Sequence, residues 1–297
     1  MKSSEYLAPL RANDEFKRRA IALLDSKITP HALLITGEDG CGRNFAAGLV
    51  AAAFLRDPSA LVARNMHPDC IVVVGEGASG RIPVRAVRAA SGELMRSAVM
   101  TDGRRCAIIR NAFNLNANSA NALLKMLEEP PEDVLFILTS RFADELLPTV
   151  RSRVAVLSVA PLNDADCFEL LKCRLPDVLP QELKLAVSRC KGRVGIALAW
   201  LSAPELSRLS ERAEIILQAA MREDKLALMS ELDGVKTRDE LVAVFDYLLL
   251  ACDGALERDP ERAGEILTLH DAVLEARRDI PKNINQKLLC ARLASRI

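Results

Sequence analysis

The sequence predicts an α/β half built on a parallel sheet, followed by an all-α half. Three patterns predict it. Short, almost continuously apolar runs recur at Ala32–Thr36, Cys70–Val74, Cys106–Arg110, Leu135–Thr139 and Ala155–Ser158, the pattern of strands buried on both faces. Helical patterns lie between them, near 43–55, 83–97, 117–128 and 143–151. Strand–helix alternation of this kind marks a doubly wound sheet. After Ser158 the strands stop and the apolar residues step by three and four.

The second half divides at its breaks. Ala160-Pro161-Leu162 reads as a hinge, and Asn163 or Asp164 as the cap of the next helix. Leu206, Leu209, Ala213, Ile216 and Ala220 form one helical face. Leu241, Val244, Leu248, Cys252 and Ala255 form a second, and Ile266, Leu269, Val273 and Ala276 a third. Ser202-Ala203-Pro204 and Asp259-Pro260 read as interruptions. The expected domains are therefore 1–160, 161–202 and 203–297.

Composition narrows the function. Among 297 residues, 40 are basic and 40 acidic, which argues against a strongly basic nucleic-acid coat or a polybasic membrane binder and leaves room for a local basic face. Aromatics make up 4%, too few for a platform that stacks single-stranded bases. The longest apolar stretch, Leu49 to Leu55, is closed by Arg56 and falls far short of a membrane span. Met1 to Tyr6 has no signal-peptide character, so a soluble cytoplasmic protein is expected. Eight cysteines, at 41, 70, 106, 167, 173, 190, 252 and 290, include no C-x2-C pair. No zinc or other metal site is expected, and buried thiols serve as small hydrophobes.

After the first strand runs Gly37-Glu38-Asp39-Gly40-Cys41-Gly42-Arg43-Asn44. Gly37, Gly40 and Gly42 lie in the frame of G-x4-G-K-[ST], whose backbone N–H groups cradle phosphates at a helix N-terminus. Arg43 stands in the lysine position and Asn44 in the position of the magnesium-binding hydroxyl. The strand ending at Ile109 is followed by Arg110-Asn111, where a phosphate-loop ATPase needs carboxylates around its metal. A cation there repels Mg²⁺, since unit charges near 4 Å interact by about 4 kcal/mol at an effective dielectric of about 20. The segment reads as a degenerate phosphate loop kept as scaffold. A plain glycine turn and a working nucleotide site are the alternatives. A kinase of small phosphates needs the same metal site and leaves the helical half unexplained.

Further on runs Asn116-Ala117-Asn118-Ser119-Ala120-Asn121-Ala122-Leu123-Leu124-Lys125-Met126-Leu127-Glu128-Glu129-Pro130-Pro131, an asparagine-capped helix stopped by two prolines. Phe136 to Ser140 follows, and then Leu146-Leu147-Pro148-Thr149-Val150-Arg151-Ser152-Arg153-Val154. This succession resembles the bacterial clamp-loader family of AAA+ proteins, with its N-A-N-A-L-L-K-x-L-E-E-P-P helix, sensor strand and L-L-P-T-[IV]-x-S-R-C segment. His31 to Leu34, His67-Pro68-Asp69 and Ile82-Pro83-Val84 agree in order, and Asn283 to Leu289 resembles the opening of the last helix. The match is specific over 31–160 and looser beyond.

The resemblance implies an AAA+ phosphate-loop domain over 1–160, a small helical lid over 161–202 and a helical collar over 203–297. It implies a DNA polymerase III clamp-loader subunit, part of the replication machinery, that hydrolyses no ATP itself. Arg153, set by Ser152, would act as an arginine finger in trans on a neighbour's ATP. The family's second sensor arginine falls on Gly195 of Gly192-Arg193-Val194-Gly195, Val154 replaces the usual cysteine, and the family's four-cysteine zinc module is missing. Implied partners are the ATPase subunits (gamma/tau), the delta subunit, the sliding clamp indirectly, and primed DNA. Arg85 and Arg88 are candidate phosphate contacts, or simply a solvated helix face. Nucleotide binding without hydrolysis stays open, as does the alternative of an active ATPase subunit.

Overall fold

A computed structural model describes residues 2–26, 29–58, 66–77, 80–202, 204–280 and 286–296. Five parallel strands form one sheet: β1 (Ala32–Thr36), β2 (Cys70–Val73), β3 (Arg105–Ile109), β4 (Val134–Ser140) and β5 (Ala155–Ser158), in the order β2-β3-β4-β1-β5. The apolar runs predict this because successive side chains leave opposite faces. Leu33, Ile35, Cys106, Ile108, Leu135 and Ile137 pack on one face. Leu34, Ala107, Ile109, Phe136 and Leu138 pack on the other. Helix Arg43–Leu55 covers the first face, and helices Val84–Leu94 and Ala117–Glu128 the second.

Several boundaries differ from expectation, and β4 runs one residue longer at each end, Val134–Ser140 instead of Leu135–Thr139. β2 ends at Val73, leaving Val74 half exposed. β3 begins one residue early, at Arg105, and ends at Ile109 rather than Arg110. Arg105 is drawn into the sheet because its buried guanidinium donates to the carbonyls of Glu93 and Arg96, at the end of a helix where a cation is favoured. The helical pattern over 143–151 divides into a 3₁₀ turn, Ala143–Glu145, and a short helix, Pro148–Arg151. Pro148 starts that helix where its missing N–H costs nothing. Two helices ahead of the sheet, Ser3–Leu7 and Asp14–Leu24, escaped the periodicity reading. They are held by a few buried residues, Tyr6, Leu7, Phe16 and Ala20.

The chain forms two compact units, Met1–Cys167 with Gly192–Gly195, and Phe168–Lys191 with Ile196–Ile297. The second is helical. Its main core is the expected set of faces: Ala213, Ile216 and Ala220 meet Leu241, Val244, Leu248 and Cys252, and Ile266, Leu269, Val273 and Ala276. Thr237 and Glu240 form a reciprocal cap at the head of helix Arg238–Arg258. The break at Asp259-Pro260 is a 3₁₀ turn before helix Ala263–Asp279. Ala203, the middle of the other expected break, and residues 283–285 lie outside the described residues, as does the side chain of Leu206. Among the described residues no helix is long and apolar enough to cross a membrane.

The His67-Pro68-Asp69 segment ties the sheet edge together. His67 Nδ1 accepts the Asp69 N–H at 3.1 Å. Nε2 is therefore the protonated nitrogen and donates to Asp57 Oδ2 at 2.9 Å. The buried Asp69 carboxylate accepts the N–H groups of Val99, Met100 and Thr101 at 2.7, 2.8 and 3.0 Å. Burial pushes its pKa up, but these bonds and the Thr101 hydroxyl outweigh burial and hold it below the ordinary carboxylate value. A depressed folded-state pKa gives stability that is present above the unfolded value and lost as pH falls through the folded one. Asp69→Ala is expected to cost about 2 kcal/mol or more at pH 7, read by urea unfolding. The gap to wild type should narrow below about pH 4; a gap independent of pH contradicts the account.

Seven of the eight cysteines are buried and Cys173 is exposed. Burial pushes the Cys41 and Cys290 thiols up to about 11 and Cys252 to about 12. Native protein is expected to show one fast-reacting thiol towards a disulfide reagent at pH 8, lost in Cys173→Ser. Rapid labelling of several thiols would contradict the packing.

Candidate functional site

The loop 37–42 follows β1 beside the carboxyl ends of β3 and β4, where open α/β sheets place their ligand crevices. β1 is fully buried and ends at Thr36; helix Arg43–Leu55 starts seven residues on. Gly42 supplies the turn into that helix at φ 94°, a conformation costly for any side chain with a Cβ.

Arg43, at the first helical position, is 6% exposed and its guanidinium folds back over the loop. Nη1 donates to the Gly37 carbonyl at 2.8 Å, and Nη2 to Asp39 Oδ1 at 2.6 Å and Asn111 Oδ1 at 2.8 Å. A cation opposes the dipole of a helix N-terminus, and Asp39 offsets it. The next side chain is also engaged: Asn44 Oδ1 accepts from Thr139 Oγ1 at 2.9 Å, and Thr139 Oγ1 accepts the Asn111 N–H at 3.0 Å. Asn111 sits at φ 52°, turning the chain out of β3 into a 3₁₀ turn. Its neighbour Arg110 donates its backbone N–H to Val73 O at 2.9 Å and is half-buried.

Gly192–Gly195 joins the same network. The Gly195 N–H donates to Gly40 O at 2.8 Å, and a Cβ on Gly195 would lie 3.1 Å from the Gly40 Cα and carbonyl oxygen. Arg193 Nη1 pairs with Glu38 Oε2 at 2.9 Å. The structure thus gathers Gly37, Gly40, Arg43, Asn44, Asn111, Arg193 and Gly195. Two further residues belong to the group. Asp39 is a carboxylate of the loop itself, paired with Arg43. Thr139 carried no local signal, since only the sheet sets it beside Asn44 and Asn111. Among the described residues no three His, Cys, Asp or Glu side chains gather as metal ligands.

Arg153 and Ser152 form a second group at the end of helix Pro148–Arg151. Ser152 Oγ donates to Thr149 O at 3.1 Å. Arg153 Nη1 donates to Thr149 O at 2.9 Å and to Ser152 Oγ at 3.4 Å, and Nη2 to Glu128 Oε1 at 2.9 Å. The Arg153 side chain is 36% exposed, and Arg151 is exposed beside it. Arg85 and Arg88 are exposed on helix Val84–Leu94, with Arg85 paired to Glu76.

A family profile described as "DNA polymerase III, delta subunit" matches residues 13–163. The chain belongs to that family. It is 37% identical over 160 residues to the DNA polymerase III subunit delta' of Pseudomonas aeruginosa, covering 50% of this chain and 48% of that protein. It is 30% identical over 219 residues to the subunit delta' of Bacillus subtilis, covering 68% and 62%. The chain thus spans about half to three-fifths of the length of these relatives. A DNA polymerase III gamma-subunit-related protein of Thermotoga maritima has the same fold, with TM-score 0.53 at 19% identity over 95% of this chain and 98% of that one. In this delta-family chain the expected architecture, a parallel sheet followed by a helical region, is the one observed.

The loop network carries a stability prediction. Arg43→Ala strips partners from Gly37 O, Asp39 and Asn111 and is expected to cost about 1–3 kcal/mol, measured as a shift in urea midpoint. Arg43→Lys should recover only part, because a point charge cannot replace the planar fork. An unchanged midpoint for Arg43→Ala would remove the guanidinium from this role.

Proposed function

We propose that this chain is a non-hydrolysing, delta-prime-like subunit of a DNA polymerase III clamp loader. Its partners are the gamma/tau ATPase subunits and the delta subunit, and through them the sliding clamp and primed DNA. In this reading residues 1–160 are the AAA+ domain, 161–202 the lid and 203–297 the collar through which it assembles. The similarity to subunits named delta' supports the complex.

One observation carries the non-hydrolysing part: the Arg43 guanidinium is spent on Gly37, Asp39 and Asn111. A phosphate loop needs a free cation for the terminal phosphates and a hydroxyl for Mg²⁺. The Asn44 amide oxygen is instead bonded to Thr139, and Arg110-Asn111 replaces a carboxylate pair. This donor set does not fit a magnesium–nucleotide complex, so no chemical step is derived through one at this loop.

The role in catalysis is assigned to Arg153 acting on a neighbour's ATP. A guanidinium at a subunit interface forks onto phosphate oxygens and stabilises charge that develops in the transition state. Ser152 holds the turn that presents it.

The isolated chain is expected to hydrolyse no ATP above background with Mg²⁺. In the reconstituted complex, Arg153→Ala should leave assembly intact, because an exposed ion pair contributes only about 0–1 kcal/mol. DNA-stimulated hydrolysis should fall: a finger is worth about 10³–10⁵ at its own site, and turnover at sites this arginine does not serve limits the bulk loss to that site's share. Arg153→Lys should rescue poorly, and Arg151→Ala should behave as wild type. Unchanged hydrolysis in an assembled Arg153→Ala complex reduces this chain to scaffold.

A further inference from the structure

Glu128 is the last residue of helix Ala117–Glu128, whose start is capped by the Asn116 side chain accepting the Ser119 N–H at 2.9 Å. A carboxylate is misplaced there in terms of helix energetics: the C-terminal carbonyls make that end negative, and an anion in the last turn is disfavoured. The helix gains nothing from Glu128, yet its Oε1 lies 2.9 Å from Arg153 Nη2. The two residues are 25 apart in sequence and come together because helices Ala117–Glu128 and Pro148–Arg151 pack on the same face of the sheet.

We propose that Glu128 is a positioning residue for Arg153, fixing the plane of its guanidinium before any phosphate arrives. The inference rests on the trans-acting role of Arg153 proposed above. Among the described residues three acceptors hold the group: Thr149 O and Ser152 Oγ on Nη1, and Glu128 on Nη2. The first two lie within four residues of Arg153 and move with its own turn. Glu128 ties the guanidinium to a separate element. Thr149 and Ser152 take one edge of the fork and Glu128 the other, which fixes both torsion and tilt. Guanidinium carries five N–H groups, so Nε–H and the second Nη2 hydrogen are left to face phosphate oxygens. A pre-oriented fork loses less side-chain freedom when it engages its ligand.

The test is a double-mutant cycle in the reconstituted complex, reading kcat and KM for ATP hydrolysis alongside assembly by size-exclusion chromatography. Glu128→Ala should lower kcat about 2- to 5-fold, the range that an exposed ion pair supports, with KM unchanged. Glu128→Gln keeps the acceptor oxygen and should recover part of the loss. In the Arg153→Ala background, Glu128→Ala should have no further effect, because nothing remains to position. A Glu128→Ala complex with wild-type kcat, when Arg153→Ala is impaired, overturns the positioning role and leaves the finger standing. An equal fall from Glu128→Ala with and without Arg153 also overturns it, by showing that Glu128 acts elsewhere. If Arg153→Ala itself changes nothing, the finger fails and the positioning role with it.

Discussion

Burial of the sheet on both faces is the constraint on which the first unit depends. Because successive residues of β1, β3 and β4 point to opposite faces, each strand must be apolar throughout, and helices must cover both sides. That requirement places the loop 37–42 at the end of β1, and Asn111 and Thr139 at the neighbouring strand ends. It also lays helices Ala117–Glu128 and Pro148–Arg151 on one face, where Glu128 meets Arg153. Both functional groups are consequences of how the sheet is covered.

In the glycine loop 37–42 the side chains satisfy one another and their neighbours. Arg43 supplies a cation, but its guanidinium bonds run to Gly37, Asp39 and Asn111 within the fold. Glu38 is taken by Arg193 and the Gly40 carbonyl by the Gly195 N–H. Arg153 is anchored yet remains partly exposed. The loop side chains are thus engaged with one another, while Arg153 is held at a separate place by Thr149, Ser152 and Glu128.

Much of this was legible in the residues. The five strands, the glycine frame of the loop, the loss of its lysine and hydroxyl, and the helical faces from Ala213 to Ala276 follow from period and spacing, which are local properties. The helices Ser3–Leu7 and Asp14–Leu24 were not, since their anchors are few. The extension of β3 to Arg105 was not either, because its cause is a bond to helix-end carbonyls some ten residues away.

The sequence by itself determined the fold class, the frame of the loop and which side chains stand in it, because each depends on neighbours within a few positions. Only the tertiary structure decided what those side chains do. Arg43 meets Asn111 across 68 residues, Asn44 meets Thr139 across 95, and Arg193 meets Glu38 across 155. Hydrogen bonds require approach to about 3 Å, and no sequence pattern encodes which distant acceptor a guanidinium will find. Packing of the covered sheet makes that choice.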